Sequence, residues 1–450
     1  MHQAPGVSTS ESAGRGRLLR VLGLGFGLAV IIGNTIGAGI LSTPGKIAEQ
    51  LPNPWLFIAV WLVGGLYALL GAVSIAELGT MLPRSGGQYV FARHALGDYA
   101  GFVVGWSDWI STCGSTSFIS LVIAQYAGVL FPSLGGRVSL IALAIVLAFG
   151  IIQWRGIRWG SGVQNITSLL KTLAYVALVL ACFLLAGGSH VESSRVLEAP
   201  TGVNLFVAAI LALQGVIYTY DGWTGVIYFS EEVKDPARDI PRSMIGGVLS
   251  VIAIYLLVNL AVLYVLPISE VAGSDLALGK AAEAIFGPNG DRIFRSLMIL
   301  AMLSAVNACQ LMATRVLFAM SRDGLFSTRG AQTNKGGTPT VALFFSTVVA
   351  VLFILTGSVD QVLAVVAFFF VVNYAVSFAV VFLLRRREPD LPRPYRAWGY
   401  PWTTGLTLLG SIGFLVGAVA SDTRNSIYAL ALLAASYPTY RFSKWLTHRQ

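Results

Sequence analysis

Charge is scarce in this chain. Asp, Glu, Lys and Arg make up 11% of its 450 residues while 55% are hydrophobic; soluble domains carry about 25% charged residues. That excludes a soluble globular protein and implies an integral membrane protein. Histidine is nearly missing: His2, His94, His190 and His448 all lie outside the apolar segments. Cysteine is as sparse. Cys113, Cys182 and Cys309 sit within apolar sequence without metal-ligand spacing, so they read as small buried hydrophobes and suggest no disulfide framework. No Ser-His-Asp order, zinc spacing or phosphate loop stands out, and no nucleophile and base share an apolar segment. The chain is therefore not expected to be an enzyme or to need a metal or cofactor. The net charge of +9 does not indicate nucleic acid, because Lys and Arg fall in short loops between apolar segments, where they set membrane topology.

What the chain has in abundance is apolar length. Twelve segments stand out, at residues 22–50, 55–81, 99–130, 138–154, 161–187, 203–229, 244–266, 293–321, 341–356, 359–384, 403–420 and 425–440. They are too long and unbroken for barrel strands of alternating polarity, and each is long enough for a membrane helix. Residues 1–16 are small and polar, a disordered lead without a cleavable signal. The polar loop 188–201 carries His190, Glu192, Arg195 and Glu198. Residues 231–242 mix both charges and read as a solvated face; residues 267–289 read as a loop with a short surface helix. Twelve spans place both termini on one side. The loops on that side hold Arg84, Arg93, Arg155, Arg158 and the Arg385–Arg387 cluster, while the other side has only Lys46, Arg137, Arg195, Lys280, Arg292, Arg295 and Arg424. This bias puts both termini in the cytoplasm of a cell-membrane protein.

Two segments are interrupted. In the first, Ile31-Ile32-Gly33-Asn34-Thr35-Ile36-Gly37-Ala38-Gly39-Ile40 places three glycines and an Asn-Thr pair within apolar sequence. Glycine weakens a helix interior. Backbone freed there cannot face lipid, but it can line a cavity and hold a ligand. Close helix packing through small residues is the other reading. The sixth segment breaks at Tyr218-Thr219-Tyr220-Asp221-Gly222-Trp223. Breaks in segments one and six fit two related five-span units, the placement inverted-repeat transporters use to build a site near the midplane.

The motifs resemble those of amino acid–polyamine–organocation permeases, and of their L-type amino acid transporter branch. The resemblance rests on residues 33–40, on Tyr220-Asp221-Gly222-Trp223 with Ser230-Glu231-Glu232 and residues 236–242, on Val163-Gln164-Asn165 with Lys171, and on Thr314-Arg315 with residues 320–324. It implies an all-α membrane fold: a five-plus-five inverted-repeat, LeuT-like core with discontinuous helices one and six, plus two extra helices. The units would be a first repeat over 17–201, a second over 202–390, and spans eleven and twelve with the tail over 391–450. The family moves amino acids, often by sodium-independent exchange and sometimes with protons. It also implies that Lys171 fills the place of a sodium ion bound by relatives, linking spans one, five and eight, and that an aromatic gate lies near Tyr218. Many relatives have Ser where this chain has Ala38, so only a backbone contact would survive there. Light-chain relatives pair with a single-span partner. No cysteine near the loop between spans three and four is present for such a disulfide, and a monomer or weak homo-oligomer is expected.

The residues suggest how a zwitterion would be held. N–H groups at Gly37, Ala38 and Gly39 would open a half-helix and favour a carboxylate. Carbonyls of Thr35, Ile36, Tyr218 and Thr219 would face the ammonium. Lys171 lies deep in a span, where an ionisable group is a functional candidate; it reads as a tether for span one or as a proton carrier. Asp221 with Gly222 would either attract a cationic side chain or accept bonds from freed N–H groups. Tyr218, Tyr220 and Trp223 are gating or packing aromatics. Ser304, Asn307, Tyr255 and Asn259 fit substrate contact or interhelical bonding. Arg315, Asp108 and Glu77 are placed near span ends, with Arg315 snorkelling or paired. The reading is a secondary exchanger of neutral L-amino acids working without sodium by alternating access. Proton symport, cationic amino acid or polyamine exchange, a non-transporting sensor and a channel stand as alternatives.

Overall fold

The computed structural model describes residues 18–37, 39–186, 197, 200–356, 359–421 and 423–447. The lead, Ala38 and the charged residues of the 188–201 loop lie outside the described residues. The helices are α1 Leu24–Thr35, α2 Gly39–Gln50, α3 Pro54–Met81, α4 Gln88–Leu96, α5 Asp98–Leu130, α6 Val138–Trp154, α7 Ile157–Leu185 and α8 Gly202–Thr219. They continue with α9 Pro236–Val265, α10 Ile268–Val271, α11 Ala277–Phe286, α12 Gly290–Arg322, α13 Thr340–Thr356, α14 Val359–Arg387, α15 Trp402–Ser421 and α16 Thr423–Thr447. Among the described residues there is no strand, only isolated bridges at Leu22–Val233 and Thr333–Pro339.

Local sequence explains the starts and stops. Asn53 Oδ1 accepts from Trp55 N at 2.9 Å and Leu56 N at 3.2 Å, capping α3 ahead of Pro54 at its first position. Gly97 and Gly156, at φ +88° and +138°, provide the sharp entries to α5 and α7. Among the described residues, eight helical stretches are long and apolar enough to cross a bilayer, and the bent pair α1–α2 makes a ninth. Helices α6 and α13 are apolar but shorter. Leu, Val, Phe and Trp side chains of α3, α5, α7, α8 and α15 remain exposed on the outer surface, as lipid-facing helices require.

Helix α12 is the most enclosed element, with nearly every side chain from Ala301 to Ser321 buried. It packs on α5, α7 and α1, and α1 packs in turn on α9 and α7. The ends of the helices are joined by buried charge. Glu77 of α3 accepts from Arg385 Nε and Nη2 at 2.9 and 2.6 Å and from Ala397 N at 2.7 Å, and Arg393 Nε stands 3.3 Å from it. Asp323 takes Arg84, Arg93 and Tyr89 at 2.9, 3.0 and 3.1 Å.

Some expectations need correction. The 231–242 stretch is a solvated face only in part: Lys234, Asp235, Arg238 and Arg242 are exposed, but Glu232 is fully buried, and α9 already begins at Pro236. Arg315 does not snorkel; its guanidinium grips Glu232 at 3.0 and 3.1 Å and lies over the Phe229 ring. Burial pushes the Glu232 carboxyl above the ordinary carboxylate range, and Arg315 pulls it part of the way back. The short helix expected in the 267–289 loop is α11, which keeps Lys280, Glu283 and Ala284 exposed and buries Ala277, Leu278, Ala281 and Ala282 against its neighbours. Helix α4 was not expected at all.

Candidate functional site

The two interrupted segments meet. Helix α1 stops at Thr35, Ile36 is extended at ψ 92°, and α2 restarts at Gly39 with its axis turned by 47°. Helix α8 stops at Thr219, and a turn leads to a 3-10 helix over Gly225–Phe229. At Gly222, φ is +113°, and a Cβ there would stand 2.8 Å from Thr35 N and 2.9 Å from the Asn34 carbonyl carbon. At Gly39 it would stand 3.2 Å from Thr219 Cα. Only glycine allows the backbones this close.

Hydrogen bonds hold the meeting point. Tyr255 OH lies 2.8 Å from Thr35 O and 3.0 Å from Thr219 O, so one hydroxyl spans both broken ends. Asn34 Nδ2 reaches Gly222 O at 3.4 Å, and Cys309 Sγ donates to Asn34 Oδ1 at 3.3 Å. Thr219 Oγ1 bonds Thr43 Oγ1 at 2.9 Å, tying α8 to α2. Lys171, fully buried, donates Nζ to Gly33 O at 2.8 Å and to Ile36 O. Ser304 Oγ joins on Gly33 O at 3.2 Å. One turn earlier, Gln164 Nε2 and Ser168 Oγ donate to Ala29 O at 3.2 and 2.8 Å. Asn307 Nδ2 donates to Gln164 Oε1 at 2.8 Å, and Gln153 Nε2 to Asn307 Oδ1 at 3.0 Å.

A cavity of about 280 Å³ opens beside the breaks, at the small end of the range for ligand sites. Asn34, Thr35, Gly37, Gly39, Tyr218, Thr219 and Asp221 line it, with Ser115, Phe118 and Ile119 from α5, Cys309 from α12, and Val366 and Phe370 from α14. It continues along α2 past Ser42, Thr43 and Lys46 to Gln50. The first N–H groups of α2 have no partner within the helix, and Gly39 brings that end of α2 to the cavity wall.

Of the residues singled out in the sequence, Thr35, Gly37, Gly39, Tyr218, Thr219 and Asp221 share this wall. Ile36 is buried behind it, and Gly222 presses on α1. Trp223 is away from the cavity, stacked on Tyr374 at 4.9 Å between ring centroids. Ser304 and Asn307 hold backbone and amides rather than the wall. The expected ammonium acceptors are not free. Thr35 O and Thr219 O share the single Tyr255 hydroxyl proton, Ile36 O takes Lys171, and Tyr218 O takes Asp221 N at 3.1 Å. Each keeps a second lone pair. Asp221 lines the cavity, and its carboxylate accepts from Tyr374 OH, a partner other than the freed N–H groups weighed for it.

Sequence reading passed over several members. Asn34 lay inside the motif yet drew no role, although an amide next to helix-breaking glycines is a signal. Cys309, taken as a small hydrophobe, touches Asn34. Asp108, expected near a span end, is fully buried and accepts from Tyr228 OH at 2.8 Å. Nothing in the sequence announces Tyr374.

Residues 26–436 match the family described as amino acid permease. The chain belongs to that family. The permease is 30% identical over 431 residues to the serine/threonine exchanger SteT of Bacillus subtilis, covering 94% of this chain and 96% of the relative. It is 26% identical to the b(0,+)-type amino acid transporter 1 of Mus musculus, over 84% of this chain and 79% of that one. It is 27% identical to the human large neutral amino acids transporter small subunit 2, over 88% and 76%. The permease is a multi-pass membrane transporter of amino acids, not an enzyme.

Proposed function

We propose that the permease exchanges neutral L-amino acids across the cell membrane without sodium, by alternating access. The observation that carries this reading is the Lys171 ammonium on Gly33 O and Ile36 O. Carbonyls freed by a helix break are the oxygens a small cation would need. Here a covalently attached cation takes them, which removes the reason for a free one. Lys46 on the cavity wall places positive charge along the approach and disfavours cationic substrates. The substrate carboxylate would meet the N–H groups at Gly37, Ala38 and Gly39. Its ammonium would meet the second lone pairs of Thr35, Ile36, Tyr218 and Thr219, with Tyr218 closing over it. The name of one relative, the serine/threonine exchanger of Bacillus subtilis, supports a swap rather than net uptake. The reading includes twelve spans, repeats over 17–201 and 202–390, two extra helices and both termini in the cytoplasm. Spans one, two, six and seven would rock against the rest.

A proteoliposome exchange panel across amino acids, with sodium and pH varied, tests it. Internal neutral substrate should stimulate uptake, and replacing sodium by choline should leave the rate unchanged. Accumulation that requires sodium, or binding without accumulation, overturns the reading. Asp221 on the cavity wall favours a second one, exchange of cationic amino acids. Failure of arginine and lysine to compete with labelled neutral substrate removes it.

A further inference from the structure

A groove on the outer surface between α6 and α13 has no role in the transport path. Leu147, Gly150, Ile151 and Trp154 form one wall, and Val341, Phe344 and Thr347 belong to the other. The spacing on α6 is three, four and seven residues, one face of a helix. The groove holds about 400 Å³ and is almost wholly apolar. Gly150 leaves its floor bare, since a Cβ there would meet only ordinary contacts with Gln310 and Thr347.

One end of this groove is strongly basic. Arg155 follows Trp154 directly, and Arg158 lies one turn on; both are exposed. Lys335, also exposed, is held beside them: Ile157 N donates to Gly336 O at 3.0 Å, and Asn334 Nδ2 donates to Trp154 O at 2.6 Å. Among the described residues, no carboxylate pairs with Arg155, Arg158 or Lys335. The sequence has no Asp or Glu between Asp108 and Glu192, nor between Asp323 and Asp360. An apolar channel ending in unopposed cations matches a molecule with an acyl chain and a phosphate.

We propose that this groove binds one anionic phospholipid, its chain along Gly150 and its phosphate at Arg155, Arg158 and Lys335. Basic pockets between spans recognise such headgroups, and a chain laid over Gly150 would cover apolar surface that α6 and α13 leave open.

The test uses the full-length permease purified from vesicles of equal phosphatidylglycerol and phosphatidylcholine with matched chains, with retained lipid counted by native mass spectrometry. One phosphatidylglycerol should be retained preferentially. Arg155→Gln, Arg158→Gln and Lys335→Gln together should cut that preference by about a hundredfold, at roughly 1 kcal/mol for each basic side chain near a membrane surface. Gly150→Leu should reduce retention of both lipids by filling the channel. Arg386→Gln with Arg387→Gln, a loss of two positive charges elsewhere, should leave the preference intact. Thermal unfolding and exchange activity verify that each variant is folded. The proposal fails if the triple variant retains phosphatidylglycerol like the wild type, or if the Arg386/Arg387 pair loses as much. It also fails if glycerol phosphate alone displaces the lipid, or if a second protein copy occupies the groove.

Discussion

Lys171 closes off the backbone that the α1 break exposes. Lys171→Ala would leave Gly33 O and Ile36 O without that donor in a buried setting, at about 1–3 kcal/mol. Exchange should fall by about tenfold or more, and Lys171→Arg should not restore it, since a planar fork cannot reproduce a point ammonium. Unchanged rate and pH profile for the alanine variant would remove both tether and proton-carrier roles. At Gly222 the constraint is steric. Gly222→Ala puts a Cβ against the backbone of Asn34 and Thr35 at φ +113°, so transport should be lost even where protein reaches the membrane. Comparing surface-labelled protein with uptake measures this. The glycines and Lys171 stood out in the sequence because each breaks a local rule, glycine within a helix and charge within a span. Cys309 and Tyr374 break no rule, and their parts emerge only when distant segments are brought together.

Helices were legible where apolar runs are long, because a bilayer imposes a minimum length. Their joints were not. Glu232 and Arg315 are far apart in sequence, and a charged loop reads as solvated until its partner is known. The pair fixes the turn after the 3-10 helix to α12. Glu232→Gln should destabilise the permease by about 3–5 kcal/mol, because it strands a buried guanidinium. Replacing both residues by Met should recover most of that loss. Thermal unfolding in detergent distinguishes the two; equal losses would show that Arg315 is compensated otherwise. Helix α11 was legible as a short surface helix, but not the close packing that its small alanines allow on the buried face.

For the molecule as a whole, the cavity reaches from the breaks past Ser42 and Lys46 to the far end of α2, while Trp223 and Tyr374 stack beyond Asp221. Among the described residues, the cavity thus runs along α2 to the exposed Lys46. Ser42→Cys should react with a membrane-impermeant thiol reagent in a Cys-free background, and a saturating neutral amino acid should slow the reaction several-fold as the cavity fills. Insensitivity to substrate would separate this cavity from the transport path. Lys46→Glu should raise competition by arginine by about fivefold if the approach is read electrostatically; inhibition constants for arginine and a neutral substrate measure it.

The Glu77 carboxylate bears on how the chain could be shortened. Its ligands come from α14 and from the connection after it, at Arg393 and Ala397. A stop codon placed after α14 would strip that buried anion of two of its neighbours at the end of α3. The connection ahead of the last two helices is thus stitched to α3, and a chain cut after α14 would need Glu77 redesigned together with the cut.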